Sequence, residues 1–334
     1  MVRVAINGFG RIGRPFFRMA FMDPDIEIVA INTHSNNPEL LAHLLKYDST
    51  FGVWDHDVDH DENHLIVDGK KVSLYSISEL SEMPWKELNI DIVLESTGKF
   101  NDATKAIGHI QAGAKKVLLS APGKNEDITL VYGVNHNDYD PAKHNIISNA
   151  SCTTNAMAGT MKVLDERFGV EKGMICTVHS YTNDQVILDK SHKDMRRARA
   201  AACSIIPTTT GAAKAVALVL PQLKGKLNGY ALRVPTPDVS IVDLSVVLSR
   251  NVTAEEINAA FKEASEGELK GVLGYSEKPL VSVDYIGMEE AGTIDALSTM
   301  VVEGNFAKIV IWYDNEWGYT CRIKDMIKYI GERL

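Results

Sequence analysis

Val2-Arg3-Val4-Ala5-Ile6-Asn7-Gly8-Phe9-Gly10-Arg11-Ile12-Gly13 stands at the head of a 334-residue chain. Val2 to Ile6 is a short apolar run of strand type. Ile12, Phe16, Phe17, Met19 and Ala20 then fall at helical spacing. Between them Gly8, Gly10 and Gly13 form a G-x-G-x-x-G pattern in the strand-to-helix setting that its chemistry requires. The first glycine permits the tight turn, the second lets a pyrophosphate approach the backbone, and the third lets helix pack on strand. The helix start itself supplies an anion site. A parallel, dinucleotide-binding α/β domain is therefore expected.

Further strands continue that pattern. Glu27 to Ile31 is the second, and a helix over Glu39 to Lys46, introduced by Asn36-Asn37-Pro38, turns Leu40, Leu41, Leu44 and Leu45 to the core. Ile90 to Ser96, Lys116 to Ser120 and Asn145 to Ser148 read as buried parallel strands, with a helix near Asp102 to Gln111. Ligands of an open parallel sheet lie beyond the carboxyl ends of its strands, which points to Ser96-Thr97-Gly98 and to Ser120. Asp55 to His64 is dense in Asp and His but lacks metal-ligand spacing, and it reads as a solvated loop before the strand Leu65 to Val67 and the hairpin turn Asp68-Gly69. No metal site is expected.

Composition narrows the function. A net charge of −9 speaks against a dedicated nucleic-acid binder. No apolar run approaches the roughly 20 residues that span a bilayer, and no basic leader precedes Val2, so a cytoplasmic protein is expected. Cys152, Cys176, Cys203 and Cys321 are far apart and read as reduced thiols.

One of these cysteines has unusual company. In Ser148-Asn149-Ala150-Ser151-Cys152-Thr153-Thr154-Asn155 two N-cap residue types precede Cys152, and Met157, Met161, Val163, Leu164 and Phe168 continue at roughly helical spacing. Cys152 should open a helix, whose unpaired amides and macrodipole favour a thiolate there. The run Gly173 to Val178 delivers His179, a candidate base for such a thiol. Thr208-Thr209-Thr210-Gly211 leads into a helix from Ala212 to Leu220 and offers a phosphate site, while Arg233 sits in an apolar, proline-flanked strand where a guanidinium needs an anionic partner. Lys190 to Arg199 is locally basic. The strand Val239 to Leu248, the helix start at Thr253, the strand Val310 to Tyr313 and a last helix from Arg322 to Ile330 complete an α+β second half.

Ala150-Ser151-Cys152-Thr153-Thr154-Asn155 and His179-Ser180-Tyr181-Thr182-Asn183-Asp184-Gln185 resemble the two active-site segments of phosphorylating glyceraldehyde-3-phosphate dehydrogenase, and the likeness runs nearly end to end. Ala156 departs from the many members that carry a second cysteine there. The resemblance implies a Rossmann-type NAD(P)-binding domain over residues 1–150, an α+β catalytic domain with a mainly antiparallel sheet over 151–315, and a C-terminal helix, 316–334, returning to the first domain. It implies Cys152 as nucleophile and His179 as base. It assigns Thr182, Asp184 and Arg233 to the C3 phosphate of glyceraldehyde 3-phosphate, and Ser151, Thr153, Arg197, Thr210 and Gly211 to inorganic phosphate. Asn7, Gly8, Gly10, Arg11, Ile12, Thr33, Ser78, Ser120, Ser191 and Asn315 would bind the cofactor, and a homotetramer is expected.

Two departures bear on NAD against NADP. Thr33 stands where NAD-specific relatives have an acidic residue, and Lys190-Ser191 where their bacterial members tend to have Leu-Pro; both suit the 2′-phosphate of NADP, with Ser35 and His34 as further donors. Three rival readings remain. Erythrose-4-phosphate dehydrogenase would use the same apparatus on a longer sugar. Aspartate-semialdehyde dehydrogenase would leave Arg197 and Arg233 unexplained, and a non-catalytic nucleotide sensor would need neither Cys152 nor His179.

Overall fold

The computed structural model describes residues 1–35 and 37–334; Asn36, part of the expected helix signal, lies outside them. The chain divides into two compact units. One comprises 1–130, 136–150 and 320–334, the other 131–135 and 151–319.

The first unit is built on a mixed, mainly parallel sheet in which Val2–Asn7 lies between Ile26–Asn32 and Ile92–Glu95. Beyond Ile92–Glu95 follow Lys116–Leu119, Ile146–Ser148 and Ile128–Thr129, all parallel; beyond Ile26–Asn32 follow Lys70–Tyr75, His64–Val67 and Val58–His60. Ile92–Glu95 and Lys116–Leu119 are buried at every position, as strands covered on both faces must be. Successive strands are added on opposite sides of Val2–Asn7, so a crevice opens at the carboxyl end of that strand. The helix Trp317–Gly331 enters this unit from Thr320 onward, where Lys328 pairs with Asp23 and Asp25.

Two expectations need correction. Asp55 to His64 is not all loop: Val58–His60 pairs antiparallel with Leu65 to Val67, and its acids and histidines pair locally, His56 with Asp68 and His64 with Asp61. In the helix Pro38–Lys46, Leu41 and Leu45 are buried, but Leu40 is exposed and Leu44 only half-buried, because the core-facing stripe runs through Ala42 instead. The Asp68-Gly69 turn forms as expected, both residues at positive φ.

The second unit has a mixed, mostly antiparallel sheet in the order Ile206–Thr209, Leu227–Val234, Val170–Ser180, Ser240–Leu248, Phe306–Tyr313, Gly292–Asp295, Leu273–Ser276. Burial alternates strictly along Ser240–Leu248, so one face meets the core and the other stays partly open. The helix Cys152–Phe168 contributes Met157, Met161, Val163, Leu164 and Phe168 to that core, all buried.

Candidate active site

The turn after Val2–Asn7 has the geometry its glycines forecast. Gly8 sits at φ +102, and a Cβ there would meet the Ser96 carbonyl carbon at 2.6 Å. A Cβ on Gly13 would collide with the Gly8 carbonyl, whereas at Gly10 nothing lies within 4 Å. Of these three glycines, only the middle one, where a pyrophosphate would approach, has open space. A cavity of about 270 Å3 opens there, lined by Asn7, Gly8, Gly10, Asn32, Thr33, His34, Ser76, Ser78, Ser96 and Thr97 among others. A dinucleotide fits this chemistry of open backbone, hydroxyls and amides. Ile12 is the N-cap residue of the helix Gly13–Ala20, Arg11 directs its guanidinium to Asp48, and Ser120 follows the strand Lys116–Leu119; these three do not line the cavity.

Beneath the cavity lies a polar chain that the sequence reading missed. Asn32 Nδ2 donates to Asn7 Oδ1 at 2.7 Å, and Asn7 Nδ2 donates to Glu95 Oε2 at 2.5 Å. Trp85 Nε1 donates to His109 Nδ1 at 2.9 Å, which leaves the proton on His109 Nε2, 3.2 Å from Glu95 Oε2. Glu95 Oε1 accepts from the Thr97 amide and hydroxyl. Glu95, His109 and Trp85 are 0% exposed, so the network fixes Asn7 and Thr97 from inside the sheet. A glutamate within an otherwise apolar strand was the available signal.

In the second unit Ser151 caps the helix Cys152–Phe168, its Oγ accepting from the Thr154 amide at 3.1 Å. Cys152 Sγ lies 3.5 Å from His179 Nε2. His179 reaches it because Val170–Ser180 ends there, in register beside Arg233 on the parallel strand Leu227–Val234. His179 Nδ1 is 2.7 Å from the Ser180 carbonyl and 2.7 Å from Arg233 Nη1. The carbonyl can hold an Nδ1 proton and the guanidinium can donate to an Nδ1 lone pair, so both neutral tautomers have a partner. Burial, reinforced by Arg233, lowers the imidazole to about 3, so the resting ring is neutral. The thiol departs from expectation: burial pushes Cys152 up, outweighing the pull of Arg233 and of the helix-start amides. Tyr313, also missed from sequence, donates or accepts at both Thr153 Oγ1 (2.9 Å) and Thr177 Oγ1 (2.8 Å) and sets its ring edge-on to His179.

Two of the anion-binding candidates meet directly. Asp184 pairs with Arg197, not Arg233, and although burial raises it, Arg197 and His192 hold its carboxyl below the ordinary value. Arg197 Nε also donates to Thr208 Oγ1 at 3.0 Å, which Asp194 in turn accepts from. Asp184 thus orients the Arg197 guanidinium. Thr153 is buried with its hydroxyl on Tyr313. Thr182 presents a half-buried side chain, Thr210 Oγ1 accepts from the Ala212 amide at 3.2 Å, and Gly211 has open space around it at the start of the helix Ala212–Val219. Ser191 lies exposed on the irregular segment 181–205.

Asn315 follows the strand Phe306–Tyr313. Its Oδ1 accepts from Ser180 Oγ at 2.8 Å and Ser240 Oγ at 2.6 Å, which fixes the orientation of the amide. No cluster of His, Cys, Asp or Glu that could hold a metal occurs among the described residues, and no helix among them is long and apolar enough to cross a membrane.

Two family models match the chain. The glyceraldehyde 3-phosphate dehydrogenase NAD binding domain covers residues 2–103, and the C-terminal domain of the same family covers 151–315. Among curated proteins, glyceraldehyde-3-phosphate dehydrogenase 2 of Bacillus subtilis is 59% identical over 100% of this chain and 98% of its own length. Glyceraldehyde-3-phosphate dehydrogenase of Geobacillus stearothermophilus is 60% identical over 99% of both. Glyceraldehyde-3-phosphate dehydrogenase 2 of a Nostoc species is 55% identical over 100% of this chain and 99% of its own length.

Proposed function

Because the chain belongs to the glyceraldehyde 3-phosphate dehydrogenase family, an oxidoreductase family with an NAD-binding domain, we propose that it catalyses the reversible oxidative phosphorylation of D-glyceraldehyde 3-phosphate to 1,3-bisphosphoglycerate. The contact of Cys152 Sγ with His179 Nε2 at 3.5 Å, backed by Arg233, carries this reading. Cys152 Sγ adds to the aldehyde carbon while its proton passes to His179 Nε2. The first-turn amides of the Cys152 helix stabilise the oxyanion, which is then protonated to a hemithioacetal. His179 Nε2 takes the hydroxyl proton back as C1 is oxidised to a thioester on Cys152. When bound, the nicotinamide supplies the hydride acceptor. Inorganic phosphate then attacks the thioester carbonyl, the acyl phosphate leaves, and the thiolate of Cys152 is restored. Arg233 and Arg197 are the guanidiniums for the two phosphates, aided by Thr182, by Asp184 through its pairing with Arg197, by Ser151 and Thr153, and by Thr210 and Gly211.

Asn7, Gly8, Gly10, Thr33 and Ser78 would hold the cofactor, with Arg11 and Ile12 giving main-chain amides at the helix start, Ser120 a hydroxyl and Asn315 its Nδ2 to the carboxamide. Thr33 lines the cavity as a hydroxyl instead of a carboxylate, and Ser35 and Ser76 face an adjoining hollow, though with Glu62 beside them. We read this as tolerance of NADP alongside NAD, with Ser191 of a neighbouring copy completing the pocket in a cytoplasmic homotetramer. The exposed Met174, Tyr230 and Phe306 on the open face of the second unit's sheet are in keeping with subunit contacts. Steady-state kinetics on glyceraldehyde 3-phosphate and phosphate with each cofactor tests the proposal. A kcat/KM for NADP at or above that for NAD is expected if Thr33 and Ser191 form a working pocket. Strong preference for NAD would remove the NADP reading, and no turnover with either would overturn the activity.

A further inference from the structure

Just outside the pairing of Ser240 with Tyr313 stand two carboxylic acids, Asp238 and Asp314, 3% and 1% exposed. Their surroundings are unequal. Asp314 accepts three main-chain N–H groups, from Gly287 at 2.7 Å, Glu316 at 2.9 Å and Trp317 at 2.6 Å. Neither oxygen of Asp238 has a donor in hydrogen-bonding geometry among the described residues. What faces it are the carboxylates of Asp314 and Glu316, with only the neighbouring Val239 amide acting in the opposite sense.

Two carboxylates meeting in a dry site cannot both ionise, and the one with donors keeps the charge. A proton on Asp238 resolves both anomalies at once. It removes the uncompensated charge, and it gives the otherwise partnerless oxygens an O–H that Asp314 can accept. The same environment, burial first and then Asp314 and Glu316, lifts Asp238 to about 9, and burial raises Asp314 as well. A second observation marks the segment. Val239, between Asp238 and Ser240, has φ +63, a conformation that a β-branched residue adopts only when its surroundings impose it.

We propose that Asp238 is a neutral carboxylic acid donating its proton to the Asp314 carboxylate, and that this one-proton pair is a clasp positioning Asn315. The two strands' ends are tied twice. Ser240 Oγ and Ser180 Oγ hold the Asn315 amide oxygen, and the Asp238–Asp314 pair holds the main chain one residue earlier. Asp238 touches no reactant and is a positioning residue; that Asn315 meets the nicotinamide carboxamide rests on the function proposed above.

Linkage gives the clasp a signature that catalysis does not share. With its folded value raised above that of the unfolded chain, Asp238 keeps a proton that the unfolded chain releases between about pH 4 and pH 9. Stability therefore falls as pH rises through that window, the folding equilibrium constant dropping about tenfold per pH unit relative to Asp238→Asn, and levels off above it. The variant replaces O–H by an amide N–H that does not titrate. The test is equilibrium unfolding of wild type and D238N across pH 5 to 10, with the infrared carbonyl band of a protonated carboxylic acid, and calorimetric NAD affinity of wild type, D238N and D238A. Expected are the divergent stability curves, loss of the infrared band in D238N, and NAD affinity weakened about tenfold in D238A but retained in D238N. Parallel stability curves or no acid band would overturn the proton assignment. Equal NAD affinity in D238A and wild type would overturn the positioning role. A wild type that shows the acid band and the diverging curves yet binds no NAD would contradict the cofactor role of Asn315 and leave the carboxyl pair standing.

Discussion

His179 has two ring nitrogens and three polar neighbours, and its chemistry follows from how they are shared. Nε2 faces Cys152 while Nδ1 is served by the Ser180 carbonyl and by Arg233. His179→Asn should lower kcat about 10²- to 10⁴-fold, the span of general-base catalysis, with NAD affinity by calorimetry unchanged. Arg233 lowers both its neighbours, the imidazole after burial and the thiol against burial. Removing its charge must therefore raise both. Arg233→Leu should move the pH profile of Cys152 alkylation by iodoacetamide to higher pH than in wild type; a profile shifted down would contradict the electrostatics. Arg197→Ala removes charge-assisted donors and leaves Asp184 with His192 as its remaining partner, so KM for phosphate-bearing reactants should rise about 10- to 100-fold. Cys152 and His179 were legible as residue types in their segments, but their 3.5 Å approach was not, because it depends on which strands pair. The pairing of Asp184 with Arg197 was hidden for the same reason: it crosses an irregular segment whose path no periodicity fixes.

At the level of the element, the strand-turn-helix from Val2 to Ala20 was readable because each glycine answers a separate steric demand. Gly13→Ala would drive a methyl into the Gly8 carbonyl, so NAD affinity should collapse while a Gly10 substitution, with open space around it, should fold normally and lose only the bound ligand. Calorimetry paired with thermal melting separates these outcomes. The Cys152 helix was likewise announced by its cap, and Ser151→Ala should cost about 1 kcal/mol in unfolding by denaturant. Leu40 and Val58–His60 were misread for a common reason. Near a sheet edge the core-facing stripe is set by neighbours far along the chain, and a polar run can still pair as a strand when its partner supplies the apolar face. The Glu95, His109 and Trp85 network lay beyond periodicity altogether, since the buried carboxylate is defined by donors from Asn7, Thr97 and His109, the last oriented in turn by Trp85.

Over the whole molecule, the two units divide the chemistry. The first presents an open-backbone cavity at the switch point of a parallel sheet, and the second sets thiol, imidazole and guanidinium together at the ends of strands and a helix start. NAD at about 100 times its Kd should stabilise the protein by about 2.7 kcal/mol, read as a rise in Tm. The most direct measurement is a single turnover: enzyme mixed rapidly with glyceraldehyde 3-phosphate and NAD without phosphate, followed by acid quench and mass analysis. One equivalent of NADH per active site should appear as a burst, with a phosphoglyceroyl group on the peptide containing Cys152, and added phosphate should release it. No burst, or an acyl group on any residue other than Cys152, would contradict catalysis through a Cys152 thioester.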